Sequence, residues 1–153
     1  MSISLDSKVL TYLMRRGRAT WAELAEHLGV SAPAAAERTR KLEERGVIRG
    51  YAAIVDPEAV GFGLTAFVWV TLEKSHNRQA FLKRVQDLEE VSECHHVAGE
   101  YDYLIKVRCR GTRDLDTFLT ERLRRGTAIA RTHSTIVLGT HKESVTVPIA
   151  VDG

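Results

Sequence analysis

Near the start of the chain, Leu5, Val9, Tyr12 and Leu13 recur at i, i+4, i+7 and i+8, one apolar stripe of an α-helix that Gly17 ends. The "TWAE" that follows carries Thr20 as N-cap and Glu23 three residues on, a capping box opening a second helix faced by Leu24, Ala25 and Leu28. Gly29 breaks that helix, Val30 plugs the turn, and Ser31 caps a third helix with Pro33 in its first turn, where a missing N–H costs nothing. Gly46 terminates it. Along this third helix only Ala35, Thr39 and Leu42 fall on a core-facing stripe, and two of the three are small. Its remaining surface is Glu37, Arg38, Arg40, Lys41, Glu43, Glu44 and Arg45. A helix that buries so little is held from one side and available for use from the other. "VIRGYAAIVD" then alternates about Gly50 like a small hairpin and ends at Asp56-Pro57. Helix, helix, short turn, helix, hairpin is the order of a winged helix-turn-helix, placed over residues 1–50.

Residues 51–63, ending in the Pro- and Gly-bearing "DPEAVGFG", read as a hinge strand and linker. Beyond them the period changes. "LTAFVWVTLEK" (64–74) reads as a strand, "RQAFLKRVQDL" (78–88) as a helix, and "VSECHHVAG" (91–99) and "YDYLIKVRCR" (101–110) as strands. "TRDLDTFLTERL" (112–123) reads as a helix and "ARTHSTIVLG" (130–139) as a fourth strand, with "ESVTVPIAV" a candidate edge strand. The order βαββαβ predicts a ferredoxin-like sandwich over residues 64–153, four antiparallel strands with helices on one face, so that the whole chain is α+β. Val68, Val70, Ile105 and Val137 look too apolar to be shared between one helix layer and water. The open sheet face is therefore expected to pair with another copy of the chain.

The third helix has a candidate use. Ser31, Ala32 and Ala34 are small enough for the helix N-terminus to approach base edges in a major groove, while Arg38, Arg40 and Lys41 suit phosphates or guanines. A solvated helix in another three-helix bundle, or a winged helix that binds protein, fits the same pattern. Charge adds to the first reading. The net charge is only +2, but residues 1–50 hold nine Lys and Arg against six Asp and Glu, and residues 51–153 hold thirteen against fourteen. The basic excess therefore lies with the helix-turn-helix, as an anionic partner requires.

These segments resemble a known family. "GRATWAELAEHLGVSAPAAAERTRKLEERGVIRGYAAIVDPEAVG" resembles the DNA-binding half of the leucine-responsive/asparagine (Lrp/AsnC) regulators, and "VAGEYDYLIKVRC" with "RTHSTIVLGTHKESVTVPI" resembles their sensor half. The likeness runs in order from about Leu5 to Ile149. It departs at Ala35 and Thr39, where the family usually carries larger aliphatics. The resemblance implies a transcriptional regulator of double-stranded DNA and a dimer built on the sensor sheets, commonly assembled into tetramers or octamers. It also implies an amino acid or related metabolite bound between sensor domains, near the loop joining the second and third sensor strands. Here that loop is "GEYD", with Gly99, Tyr101 and Asp102; the family's T-x-T strand pattern falls on Thr132 and Ser134. The chemistry agrees: Asp102 can accept from an ammonium, and backbone N–H groups near Gly99 with the two hydroxyls can donate to a carboxylate. A tight hairpin whose Asp102 bonds its own loop is the alternative.

Other chemistry has little support. Six histidines show no H-x-x-x-H or H-E-x-x-H spacing, and His95 and His96 point to opposite faces of one strand, so neither a metal nor a cofactor is expected. Phosphate-binding and nucleophile-elbow motifs are missing. Some relatives of the family are haem-pathway decarboxylases, for which His95, His96 and Tyr101 would be the residues to suspect; a sensor acting through a protein partner is the other alternative. No catalytic residue is assigned. Cys94 and Cys109 form no C-x-x-C, the apolar runs are too short to span a membrane, and "MSISLDSKVL" is no signal segment, all of which point to the cytoplasm.

Overall fold

The computed structural model describes residues 4–73 and 78–149. Its contacts divide the chain into two compact units, split between Ile54 and Val55, with residues 142–149 grouped with the N-terminal unit.

In the N-terminal unit, α1 (Leu5–Arg15), α2 (Trp21–Leu28) and α3 (Ala32–Glu44) form a three-helix cluster. Its core is Val9, Leu13, Leu24, Ala25, Leu28, Ala35 and Leu42. Each start is chemically marked. Ser4 Oγ accepts from Ser7 N–H, and the Thr20–Glu23 capping box is complete in both directions, with Glu23 N–H donating to Thr20 Oγ1 at 3.2 Å and Thr20 N–H donating to Glu23 Oε2 at 2.7 Å. Gly29 ends α2 at φ +68°, a left-handed turn that suits glycine, and Val30 N–H donates to Ala25 O. Past α3, the N–H groups of Val47 and Ile48 both donate to Leu42 O.

The expected hairpin after α3 does not form as a strand ladder: residues 47–56 contain no strand. Tyr51 is drawn back onto α3 instead, its hydroxyl donating to Glu43 at 2.9 Å, and Ile54 lies 83% exposed. With no packed face to bury its alternate residues, so short a ribbon gains too little to order.

The second unit is built on β1 (Leu64–Leu72), β2 (Val91–His96), β3 (Tyr103–Cys109) and β4 (Ile129–Ile136). All pairings are antiparallel, in the spatial order β2-β3-β1-β4. Helix α4 (Arg78–Asp87) follows β1, and α5 (Thr112–Thr117) follows β3. The helix read from the sequence over 112–123 is regular only in its first half. It widens into a π-turn over Phe118–Arg122, closed by Leu123 N–H donating to Phe118 O at 2.8 Å, which places Phe118 and Leu123 both in the core. The βαββαβ order is thus present. The first strand was read as far as Lys74, which lies outside the described residues.

Register decides the faces. Val68 pairs with Ile105 on one side and with Ser134 on the other, and Ala66, Val68, Val70, Ile105 and Val107 all pack under α4 and α5 with Phe81, Val85, Leu115 and Phe118. This corrects the expectation that Val68, Val70 and Ile105 look out from the open face. That face carries the alternate residues of the same strands: Phe67 and Trp69 of β1, Leu104 and Lys106 of β3, and His133 of β4. The candidate edge strand is also absent, since residues 142–149 contain no strand; Ala150 and Val151 lie outside the described residues.

Candidate nucleic-acid interface and sensor loop

Helix α3 is held as its sequence predicts. Ala35, Thr39 and Leu42 are its buried residues, and Thr39 Oγ1 donates to Ala35 O at 2.9 Å, so the one hydroxyl taken into the core is satisfied. Small side chains at two of three contact positions let the helix approach its neighbours closely. Ser31 Oγ accepts from Ala34 N–H at 3.3 Å and is occupied with capping, which leaves Ala32 and Ala34 as a smooth, apolar first turn beside it.

The basic residues of α3 divide between two flanks. Arg38 donates to Asp6 of α1 at 2.7 Å, and Arg45 stands 3.6 Å from the same carboxylate. Arg40 takes the other flank, in a shallow groove with Trp21, Pro33 and Ala36. Its Nε and one terminal nitrogen both donate to Glu37, at 3.0 and 2.7 Å, and the other terminal nitrogen reaches Glu44. Lys41 stands 3.6 Å from Glu37. The Arg40 hydrogen bond, with the nearby positive charges, holds the Glu37 carboxyl below the usual carboxylate range. Sequence reasoning named the cations and left their acidic partners as plain surface. The i, i+3 and i, i+4 spacing of Glu37, Arg40, Lys41 and Glu44 is the signal that exposes the local pairs. No local spacing exposes the Asp6–Arg38 pair.

All of these pairs are solvent-exposed, so each is weak and screened by salt. An anionic ligand can therefore compete with Asp6 for Arg38 and with Glu44 for Arg40.

In the sheet unit, the predicted sensor residues do not converge on one face. Asp102 serves the sheet itself: its Oδ2 accepts from Leu72 N–H at 2.8 Å, its own N–H donates to Val70 O at 3.0 Å, and its carbonyl accepts from Val97 N–H at 3.0 Å. Its carboxylate latches the loop to β1, close to the self-bonded alternative. Thr132 and Ser134 pair with Val70 and Val68 and so belong to the helix side of β4. Tyr101 belongs to the open face, its ring 5.6 Å from that of Trp69 and 6.3 Å from that of His133, with the Arg131 guanidinium 4.9 Å from its centroid. Arg131 also donates to Glu100 at 3.0 Å, which ties the loop to β4 a second time. Gly99 is exposed, and a Cβ there would meet nothing within 4 Å.

His95 and His96 diverge as expected. His95 meets Glu93 at 3.2 Å beside Lys106, whereas the His96 ring lies 5.2 Å from that of Tyr103 on the helix side. With Tyr101 they make no common centre. Among the described residues no group of three or more His, Cys, Asp or Glu side chains could hold a metal ion. No helix among them is long and apolar enough to cross a membrane.

The architecture is that of a DNA-binding regulator with an attached ligand-binding domain, and the comparisons agree. Residues 4–49 match the winged helix-turn-helix DNA-binding family, and residues 65–147 match the Lrp/AsnC ligand binding domain. The chain belongs to the Lrp/AsnC family of transcriptional regulators. It is 44% identical to the HTH-type transcriptional regulator LrpA of Mycobacterium tuberculosis, over 89% of each chain. A transcriptional regulator of Neisseria meningitidis, solved as a complex with L-methionine, superposes with a TM-score of 0.90 at 30% identity, covering 97% of both chains. The feast or famine regulatory protein of M. tuberculosis, also complexed with L-methionine, superposes with a TM-score of 0.87 at 39% identity, over 94% of this chain and 96% of that one.

Proposed function

We propose that this regulator reads duplex DNA with the outer surface of α3 and responds to an amino acid at its sensor sheet, in the cytoplasm. The observation that carries the first half is the division of α3 itself: three contacts, two of them small, hold it, and its outer side and flanks carry cations in solvent-exposed pairs. Ser31, Ala32 and Ala34 bring the helix N-terminus against the base edges, Arg38 exchanges Asp6 for a phosphate or guanine edge, and Arg40 and Lys41 turn the donors that Glu37 does not hold to phosphates or guanine edges. The open sheet face, with Phe67, Trp69 and Leu104, joins a second copy, so that paired helices meet half-sites separated by about one helical turn or a multiple of it.

The test is binding of a duplex from upstream of the protein's own gene against a scrambled duplex, across a salt series. Specific binding with a steep salt slope is the expected result. Arg38→Ala, Arg40→Ala or Lys41→Ala should each reduce the slope by about 1 wherever the lost contact is a phosphate. Equal, weak binding to both duplexes at low salt refutes the assignment.

For the effector, the two methionine complexes among the relatives support a free amino acid, with L-methionine the first to try. Tyr101 and the backbone around Gly99 line the approach from the open face, Asp102 holds their loop to β1, and Thr132 and Ser134 stand on the helix side of β4. Titrating L-methionine into the protein by calorimetry should give saturable binding that Tyr101→Ala weakens. Unchanged affinity in that variant rejects this placement. Asp102→Ala is the poorer probe, because it also unlatches the loop from Leu72.

A further inference from the structure

On the first half of α3, polar chemistry is scarce. Ala32, Pro33, Ala34, Ala35 and Ala36 follow one another, and none has a side-chain donor or acceptor. Ser31 Oγ is engaged with Ala34 N–H, and Arg38 is turned toward Asp6. Glu37 is the first exposed side chain inside the helix that can hydrogen-bond. At 100° per residue it stands opposite Ala35, Thr39 and Leu42, the residues that face the core. Its side chain is 48% exposed, and both of its oxygens are met by Arg40, with Lys41 alongside.

A bare carboxylate at that place would meet a field of phosphates and be repelled. This one is held between two cations that reduce the repulsion, and close to half of its side-chain surface stays open to solvent. A carboxylate is an acceptor only, so the base edge it can read in a major groove is an amino group, and the one it suits is N4 of cytosine.

We propose that Glu37 is the specificity-determining residue of α3, accepting from cytosine N4 while Arg40 and Lys41 hold its carboxylate in place. The apolar turn before it serves the neighbouring base pair, where Ala34 can contact a thymine methyl group. The proposal rests on the DNA-binding reading above and gives that surface a sequence preference.

The experiment is selection of random duplexes by the full chain, followed by sequencing, for wild type, Glu37→Ala and Glu37→Gln. Thermal melting of each variant confirms that α3 is intact; the position is exposed and alanine favours helix. Wild type should prefer cytosine about tenfold at one position of each half-site. Glu37→Ala should flatten that position and no other. Glu37→Gln should move the preference to adenine, because an amide both donates and accepts, as the N7 and N6 edge of adenine requires. A Glu37→Ala profile identical to wild type overturns the proposal, and so does one weakened evenly at every position. If wild type itself enriches no sequence, the DNA-binding reading falls as well, which separates the two failures.

Discussion

The two units hold their helices by different means. In the N-terminal unit the largest fully buried side chains are Leu24, Leu42, Val9 and Thr39, and α3 contributes only three residues to the core. In the sheet unit Phe81 and Phe118 are fully buried against Val68, Val70, Ile105 and Val107. Three contacts, two of them small, hold α3 and leave its outer side clear. A sheet with one free face must take its stability from the other, and the aromatic residues of α4 and of the π-turn supply it. The lesson is that shallow burial of α3 and heavy burial under the sheet serve one design: each leaves a broad surface unspent.

Substitutions can break this contrast. Phe118→Ala should cost the sheet unit about 3–5 kcal/mol, whereas Leu42→Ala should cost the helical unit about 2–4 kcal/mol. Urea unfolding followed separately at Trp69 and at Trp21, with Trp21→Phe and Trp69→Phe backgrounds to isolate each signal, measures both. A larger loss from Leu42→Ala than from Phe118→Ala would reverse the contrast. Thr20→Ala removes one arm of the capping box and should cost about 1 kcal/mol, visible as a lower urea midpoint for Trp21 alone. The smallest effect concerns acid. Asp114 accepts from Arg110 N–H at 2.9 Å and from Arg122 at 2.6 Å, and these hold its carboxyl below the ordinary value. A depressed folded-state pKa stabilises at neutral pH, and that contribution is lost as the pH falls through the ordinary aspartate range toward the depressed value. Urea midpoints of the Trp69 signal between about pH 6 and pH 3 should fall less steeply for Asp114→Asn than for wild type. Parallel profiles would show that Asp114 carries no such share.

Local signals were legible. The Ala35–Thr39–Leu42 stripe, the Thr20–Glu23 box and the Ser31 cap all depend on residues within one or two helical turns, and all appear in the structure. The reading failed wherever a one-residue shift or a distant partner decides. Val68 and Trp69 are adjacent and both apolar, so only pairing with Ile105 and Leu104 settles which of them faces the helices. The bond from Leu72 N–H to Asp102, thirty residues apart, has no local signal. Arg38 met Asp6 across a similar span. The strand hairpin depended on residues able to pair with "VIRGYAAIVD", and Tyr51 turned back to Glu43 instead.

By itself the sequence determined the order of helices and strands, their caps, the basic bias of the N-terminal third and the family that these patterns mark. Periodicity and capping act over a few residues and are written locally. Tertiary structure alone decided which face of the sheet each strand residue occupies, which carboxylate holds each arginine, and that Thr132 and Ser134 take the helix side of β4. Those outcomes depend on strand register and on contacts between residues far apart in the chain, which no local pattern records.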